Sequence, residues 1–365
     1  VQKIYRLLLI MIMAGLVWNI LPFLASIIGM LVFSFLFTTV FLQPVDTLER
    51  TTKSRGLSVF IILSSVITII VVFFGSFISN LSSQIKLFTN KLQKDDFAVS
   101  LEDLSNKARE YLPDLMGNMI PESDRVILIA KNSLVNIFQN ILTFLSSAGS
   151  FIFISVMVLI FTIILLIEYH DFKRSLVHFI PNKYLEVGLR MIFNIEQQIS
   201  KYLRGQILAA ASVAVLSIIG LFILNQLGAN ITLIVFIGII AGLANLIPMV
   251  GPFFGMIPAI LIALMNNIGN DAALSHQLFG LIPSPFYTLD IIVMFIIVQQ
   301  IDNNFITPIL VGESVGLHPM AVMIVLLIGG TLIGPLGMLF AIPAAGVLKV
   351  IISEVVFITK NSHLL

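Results

Sequence analysis

Long apolar blocks follow one another along this chain, and no other feature restricts its fold so tightly. They lie near residues 7–21, 23–42, 57–78, 148–168, 206–226, 230–250, 252–266, 287–301, 320–333 and 336–352. A transmembrane helix needs roughly 20 consecutive apolar residues, and several blocks reach that length. In hydrocarbon, every backbone N–H and C=O must find a partner within the protein, so only helices and closed barrels cross a membrane. A barrel strand alternates apolar and polar residues, whereas these blocks are continuous. The expected fold is all-α, a polytopic helical membrane protein. Composition agrees: the 365 residues are 58% apolar and 11% charged, and a soluble domain carries about a quarter charged residues.

Three consecutive segments are expected: membrane helices over 1–78, an amphipathic extramembrane helical segment over 79–147, and a carboxy-terminal membrane core over 148–365. In the middle segment, Leu81, Ile85, Phe88 and Leu92, then Leu101, Leu104, Ala108 and Leu112, recur at helical spacing. The first apolar run follows Lys3 and Arg6 as a signal peptide would. A second run follows at once without a small-residue cleavage site, so a retained span is expected. Arg50, Lys53 and Arg55 in 43–56, and Lys173, Arg174, Lys183, Arg190, Lys201 and Arg204 in 169–204, place both segments and the N-terminus on the cytoplasmic side by the positive-inside rule. Trp18, the sole tryptophan, suits an interfacial anchor.

Several function classes drop out. A net charge of +1 gives no field for nucleic acid. With no cysteine there are no disulfides, thiolate metal sites or cysteine nucleophiles, and the five histidines do not cluster. No metal or cofactor is expected. No paired-acid, Ser–Lys or His–Glu–x–x–His pattern supports an intramembrane hydrolase, so an enzyme is not expected.

From Gly205 to Leu348 there is no Lys or Arg, and the only acids are Asp271, Asp290, Asp302 and Glu313. An acid buried there has no Lys or Arg partner in its own half; it stays protonated, binds a cation or reaches water. Polar residues concentrate in "IVQQIDNNFITPILVGESVGLHP", Ile297–Pro319. If 297–307 is helical, Gln299, Asp302, Asn303 and Thr307 share a face, with Gln300 and Asn304 beside it. Pro308 opposes continuation of the helix, Gly312 permits unusual dihedrals, and a second helix should begin near Pro319. The expected result is a broken or re-entrant helix whose free carbonyls line a path. The alternative is a solvated loop at the membrane interface. A second polar point is "NLIPMVGP", Asn245–Pro252, where Pro248, Gly251 and Pro252 should break the backbone after an apolar span. Asn245 either faces the same cavity or bonds the freed backbone. A third is "KYLRGQ", Lys201–Gln206, where Arg204 either anchors at the interface or meets substrate beside Gln206. The segment Gly251–Met265, about 15 residues or roughly 22 Å of helix, is too short for a core of roughly 30 Å. It also echoes a later stretch: "GPFFGMIPA" at 251–259 and "GPLGMLFAIPA" at 334–344. Such repeats occur in transporters.

These stretches carry a family likeness. "YLRGQ" at 202–206, "NLIPMVGPFFGMIPA" at 245–259, "QQIDNNFITPILVGESVGLHP" at 299–319, "LLIGGTLIGPLGMLFAIPAAGVLKV" at 326–350 and "QPVDTLERTTKSRG" at 43–56 together resemble the autoinducer-2 exporter (AI-2E) family, over nearly the whole chain. The resemblance implies a multi-pass transporter of the bacterial cytoplasmic (inner) membrane with about seven or eight spans, working as a homo-oligomer among membrane lipids. It implies export of a small polar solute such as the quorum-sensing signal autoinducer-2. The alternative is Na⁺/H⁺ antiport, with Asp302 exchanging a proton for the cation. Met249, where an aromatic residue is common, and Glu313, where a basic one is common, depart from the family pattern and leave inherited substrate choice open.

Overall fold

The computed structural model describes residues 2–92, Asn136, Asn140, Thr143, 149–248, 250–311 and 316–360. Most of 79–147, together with Met249, Gly312 and Glu313, lies outside the described residues, as does the side chain of Trp18. The described chain is helical apart from one two-residue-stranded hairpin. In order come α1 (Gln2–Thr52), α2 (Arg55–Leu92), α3 (Gly149–Ile167), α4 (Tyr169–His178), α5 (Leu185–Leu224), α6 (Ile234–Ala244), α7 (Gly251–Asn267) and α8 (Asp271–Leu274). Strands β1 (Gln277–Leu278) and β2 (Ile282–Pro283) follow, then α9 (Thr288–Ile301), α10 (Thr307–Leu310), α11 (Pro319–Ile333) and α12 (Pro335–Lys360). Five described helical stretches are long and apolar enough to cross a membrane: Ile27–Thr52, Arg55–Leu87, Asn182–Ala229, Pro285–Leu310 and Gly337–Phe357. The pair α3–α4, bent by 74°, makes a sixth, and Ile234–Ala244, Gly251–Asn267 and Met320–Thr331 are shorter apolar helices. The protein is a polytopic helical membrane protein.

The first two apolar blocks do not form separate spans. Residues 2–52 are one continuous helix, because the only interruption in the pattern is Pro22, and one proline can kink a helix without reversing it. Nor is 43–56 a loop: the helix runs to Thr52 and resumes at Arg55.

The described residues divide into two units that interleave along the chain, residues 1–66, 148–200 and 317–365 in one, 67–147 and 201–316 in the other. In the first, α1 packs on α3, where Ser34 Oγ donates to the Val158 carbonyl at 3.0 Å. Arg55 closes the α1–α2 turn by donating to the Leu166 carbonyl (2.6 Å), Asp46 (3.0 Å) and Glu49 (2.8 Å). Glu354 of α12 is buried and accepts from Arg190 (2.7 Å) and Asn194 (3.0 Å) of α5. Helices α11 and α12 form a hairpin that turns at Gly334, φ 70°, with Gly329 so close to the Gly337 carbonyl that a Cβ would sit 2.4 Å from it.

The second unit has its own core. Leu221, Ile237, Ala241, Ala259, Ile262, Ile291 and Phe295 are buried together from α5, α6, α7 and α9. Gly255 admits the Phe295 ring, which would lie 2.7 Å from an added Cβ. The two echoing stretches give comparable local structures, one in each unit. Each follows a short apolar helix and a glycine, and each opens a helix that carries a proline inside it, Pro258 in α7 and Pro343 in α12.

Candidate functional site

Three segments of the second unit supply the polar site: the middle of α5, the α6–α7 break, and the end of the α9–α10 span. The break comes first, since it presents Asn245. Helix α6 ends at Ala244, and residues 245–248 form tight turns closed by Leu246 N–H to Leu243 O (3.2 Å) and Ile247 N–H to Ala244 O (3.0 Å). Pro248 lies inside this turn. Helix α7 opens at Gly251 with Pro252 in its first turn, where no N–H is needed. Gly251 lets the turn close, because a Cβ there would lie 2.5 Å from Asn245 Cβ and 2.6 Å from the Ala241 carbonyl.

Across from the break, Asp302 is 2% exposed. Asn245 Nδ2 donates to its Oδ2 at 3.2 Å, and Thr307 Oγ1 donates to its Oδ1 at 3.1 Å. From α5, Gln206 Nε2 donates to the carbonyls of Asn245 (2.6 Å) and Leu246 (3.2 Å), satisfying backbone groups that the break leaves without a helical partner. One residue earlier on α5, Gly205 brings the helix against α10, where a Cβ would lie 2.2 Å from the Leu310 carbonyl. Buried polar groups normally find partners. Here three lack one among the described residues: Asn245 Oδ1, Gln299 Oε1 and the Tyr202 hydroxyl. Tyr202 precedes Gln206 by one helical turn, and Gln299 precedes Asp302 by three residues.

The structure corrects the expected arrangement of the polar stretch in two ways. Pro308 does not end the helix. Residues 302–306 widen into a π turn and α10 continues through Pro308 to Leu310. A proline removes its own N–H and crowds the carbonyl four residues earlier, here that of Asn304, and a local π turn absorbs both effects. The widened turn also redistributes the side chains. Asp302 now meets Thr307, five residues on. Asn303 turns to the exposed side and accepts from Gln299 at 2.9 Å, and Asn304, also exposed, donates to Gln300. Asn303 and Asn304 therefore do not share a face with Asp302. Arg204 is exposed and takes no part in the cluster. Gly312 is outside the described residues, and α11 opens at Pro319 with His318 as its N-cap, the ring accepting from Met320 N–H at 3.2 Å.

A second buried acid has a partner that a count of Lys and Arg misses. Asp290, 7% exposed, faces His276 Nε2 at 3.3 Å and accepts from the Ser284 hydroxyl. The signal was present in the sequence, because His276 lies 14 residues before Asp290 in the same basic-free half. A shallow cavity of about 400 Å³ in the other unit is lined by one face of α4, His170, Lys173, Arg174, Val177 and His178, and none of these belongs to the polar site.

The comparisons with known proteins bear on this arrangement directly. Residues 7–357 match the profile described as AI-2E family transporter. The chain belongs to the AI-2E transporter family. The AI-2 transport protein TqsA of Escherichia coli is 24% identical over 330 residues, covering 87% of this chain and 83% of TqsA. YueF, a candidate transport protein of Bacillus subtilis, is 27% identical over 238 residues, 63% of this chain and 58% of YueF. YrrI of the same organism is 30% identical over 178 residues, 49% of this chain and 44% of its own length. The chain thus spans about half the length of these two Bacillus relatives. All the site residues named above fall within the part matched by the family.

Proposed function

We propose that this AI-2E transporter exports a small polar organic solute across the bacterial cytoplasmic membrane, with its path passing the Asp302–Asn245–Gln206 cluster. The observation that carries the reading is the buried hub itself. An acid within a membrane span is costly and serves function by default. Here it is held by two neutral donors beside a broken helix, and two amide oxygens have no partner among the described residues, that of Asn245, which itself donates to the acid, and that of Gln299, one turn before it. Amide, hydroxyl and carboxylate groups together recognise hydroxyls and carbonyls by both donating and accepting. A compound of the autoinducer-2 kind, small and polyhydroxylated, fits that chemistry, and the name of TqsA supports the choice. A role in quorum sensing, and assembly as a homo-oligomer, belong to the same reading and follow from the family resemblance.

A second reading is cation/proton antiport through Asp302. What favours it is the donor set: Asp302 has only neutral partners among the described residues, and Asn245 Oδ1 and Gln299 Oε1 are oxygen ligands without partners. Hard cations prefer such oxygens. Purified protein in proteoliposomes separates the readings. Autoinducer-2 flux that persists without a Na⁺ or proton gradient supports the first. Na⁺-dependent dissipation of a pH gradient without autoinducer-2 flux supports the second and overturns the first.

A further inference from the structure

We propose that the hairpin Gln277–Pro283 is a membrane-interface finger whose tip, Phe279, Leu281 and Ile282, inserts among the lipid head groups and upper acyl chains. The strands pair Gln277 with Pro283 and Leu278 with Ile282, leaving Phe279, Gly280 and Leu281 between them. Leu281 N–H donates to the Leu278 carbonyl at 3.2 Å, and the two residues inside that turn, Phe279 and Gly280, both have positive φ, 53° and 70°. Asn, Asp and Gly suit that position, and a bulky side chain there is strained. The chain places phenylalanine at its tip against the backbone preference, so the side chain is what the position uses.

Apolar side chains sort sharply along this connection. At its base Ala273, Leu274, Phe286 and Tyr287 are buried. At its tip Phe279 is 82% and Leu281 83% exposed, more than any other large apolar side chain described except Phe179. The base is rigid. Ser284 N–H donates to the His276 carbonyl at 2.9 Å, the His276 ring stacks on Tyr287 at 3.8 Å, and His276 and Ser284 both hold Asp290. The finger is therefore fixed relative to the helix that follows.

Its occupant is lipid rather than water or a polar partner. The stretch from Ala272 to Leu289 contains no Lys, Arg, Asp or Glu, so the hairpin itself brings no charge that would have to be kept out of the bilayer. The apolar span Pro285–Leu310 begins two residues after Pro283, and the apolar helix α7 ends ten residues before Gln277. A connection joining two apolar membrane helices lies at the bilayer face, where large apolar side chains partition into the boundary between head groups and acyl chains.

Tryptophan fluorescence tests this. Trp18→Phe removes the only native tryptophan, and Phe279→Trp then places a single reporter at the tip. Leu281→Trp is the companion variant in case the first does not elute as folded protein before reconstitution. In proteoliposomes the expected emission is blue-shifted. Bromines high on the acyl chains should quench it roughly twofold more than bromines near the bilayer midplane, as interfacial depth requires. Emission typical of water, quenched by acrylamide and not by bromolipid, overturns the proposal. So does blue-shifted emission insensitive to both quenchers, which places the tip against protein, a second copy included. Stronger quenching from the midplane overturns the interfacial depth.

Discussion

Asp290 and Asp302 are two buried acids on one span, 12 residues or about 18 Å of helix apart, and they are held in opposite ways. Asp290 stands in the first turn of α9, at the positive end of the helix dipole. Both its oxygens are engaged, by Ser284 and His276, and Ser284 is itself tied down by accepting from Leu289 N–H at 3.1 Å. Asp302 stands at the far end, inside a π turn, facing only a neutral amide and a hydroxyl. The first arrangement closes on itself and fastens the hairpin base to the start of a helix. The second is open, because the groups around it keep bonding capacity unused. Burial alone does not mark a transport residue, and the state of the surrounding donors and acceptors separates an anchor from a working group.

The sharpest way to break this comparison is to remove each acid in turn. Asp302→Ala should lower flux per folded molecule about 100-fold, close to 2.7 kcal/mol. Asp290→Ala should leave flux per folded molecule within about threefold and instead lower the melting temperature of the detergent-solubilised protein, since it strands His276 and Ser284. Flux in proteoliposomes beside a thermal-unfolding scan reads both. If Asp290→Ala abolishes flux while Asp302→Ala only destabilises, the roles are reversed.

Gln206→Leu sharpens the same picture from α5. It keeps the size of the side chain and strips the donors from the Asn245 and Leu246 carbonyls. Leaving buried acceptors unpaired costs about 1–3 kcal/mol, expected as a lower unfolding temperature together with reduced flux, because Asn245 is released from its position. Unchanged stability would mean that water takes over both carbonyls and that Gln206 does not hold the break.

Thr307→Val addresses the π turn. The Thr307 bond to Asp302 exists only because five residues, rather than four, separate neighbouring turns there. Its loss should cost about 1 kcal/mol, seen as a modest fall in unfolding temperature. No change would indicate that the turn closes as ordinary α-helix in the membrane.

Which parts of this were legible beforehand follows from the kind of signal each leaves in a sequence. Continuous apolar blocks identify membrane helices because burial in lipid acts on composition. The glycines and prolines of 248–252 mark a break because they act on their own backbone. The polar pairs of the site depend on register, and register was lost at Pro308, whose effect falls upstream as a widened turn instead of at the residue itself. A helical wheel of 3.6 residues therefore groups Asp302 with both Asn303 and Thr307, whereas the widened turn keeps Thr307 on Asp302 and sends Asn303 to the exposed side. The pairing of Gln206 with the Asn245 carbonyl joins residues 39 apart and leaves no local trace. His276 went unread as a partner because only permanently charged bases were counted. The unbroken α1 is hard to read because apolar blocks on either side of Pro22 look the same whether the proline turns the chain or only kinks it.

The smallest effect is expected at Asn304, and it carries the most discrimination for its size. A four-residue wheel puts Asn304 beside the path, where replacing its amide with leucine should be more harmful than neutralising Asp302. The observed turn puts it on the exposed side, where Nδ2 donates to the Gln300 carbonyl at 2.8 Å and to Gln300 Oε1 at 3.2 Å, both on its own helix. Exposed substitutions away from special features usually stay within about 0.5 kcal/mol, so Asn304→Leu should change flux by less than about threefold. Asp302→Asn, which keeps shape and hydrogen bonding but removes charge and titration, then reports on coupling alone. Near-normal solute flux in that variant fits an exporter not coupled through this acid, and loss of Na⁺-driven proton movement fits the antiporter. A large loss in Asn304→Leu with little in Asp302→Asn would move the path to the exposed polar face of Gln300, Asn303 and Asn304, and Asp302 would then be, like Asp290, a structural acid.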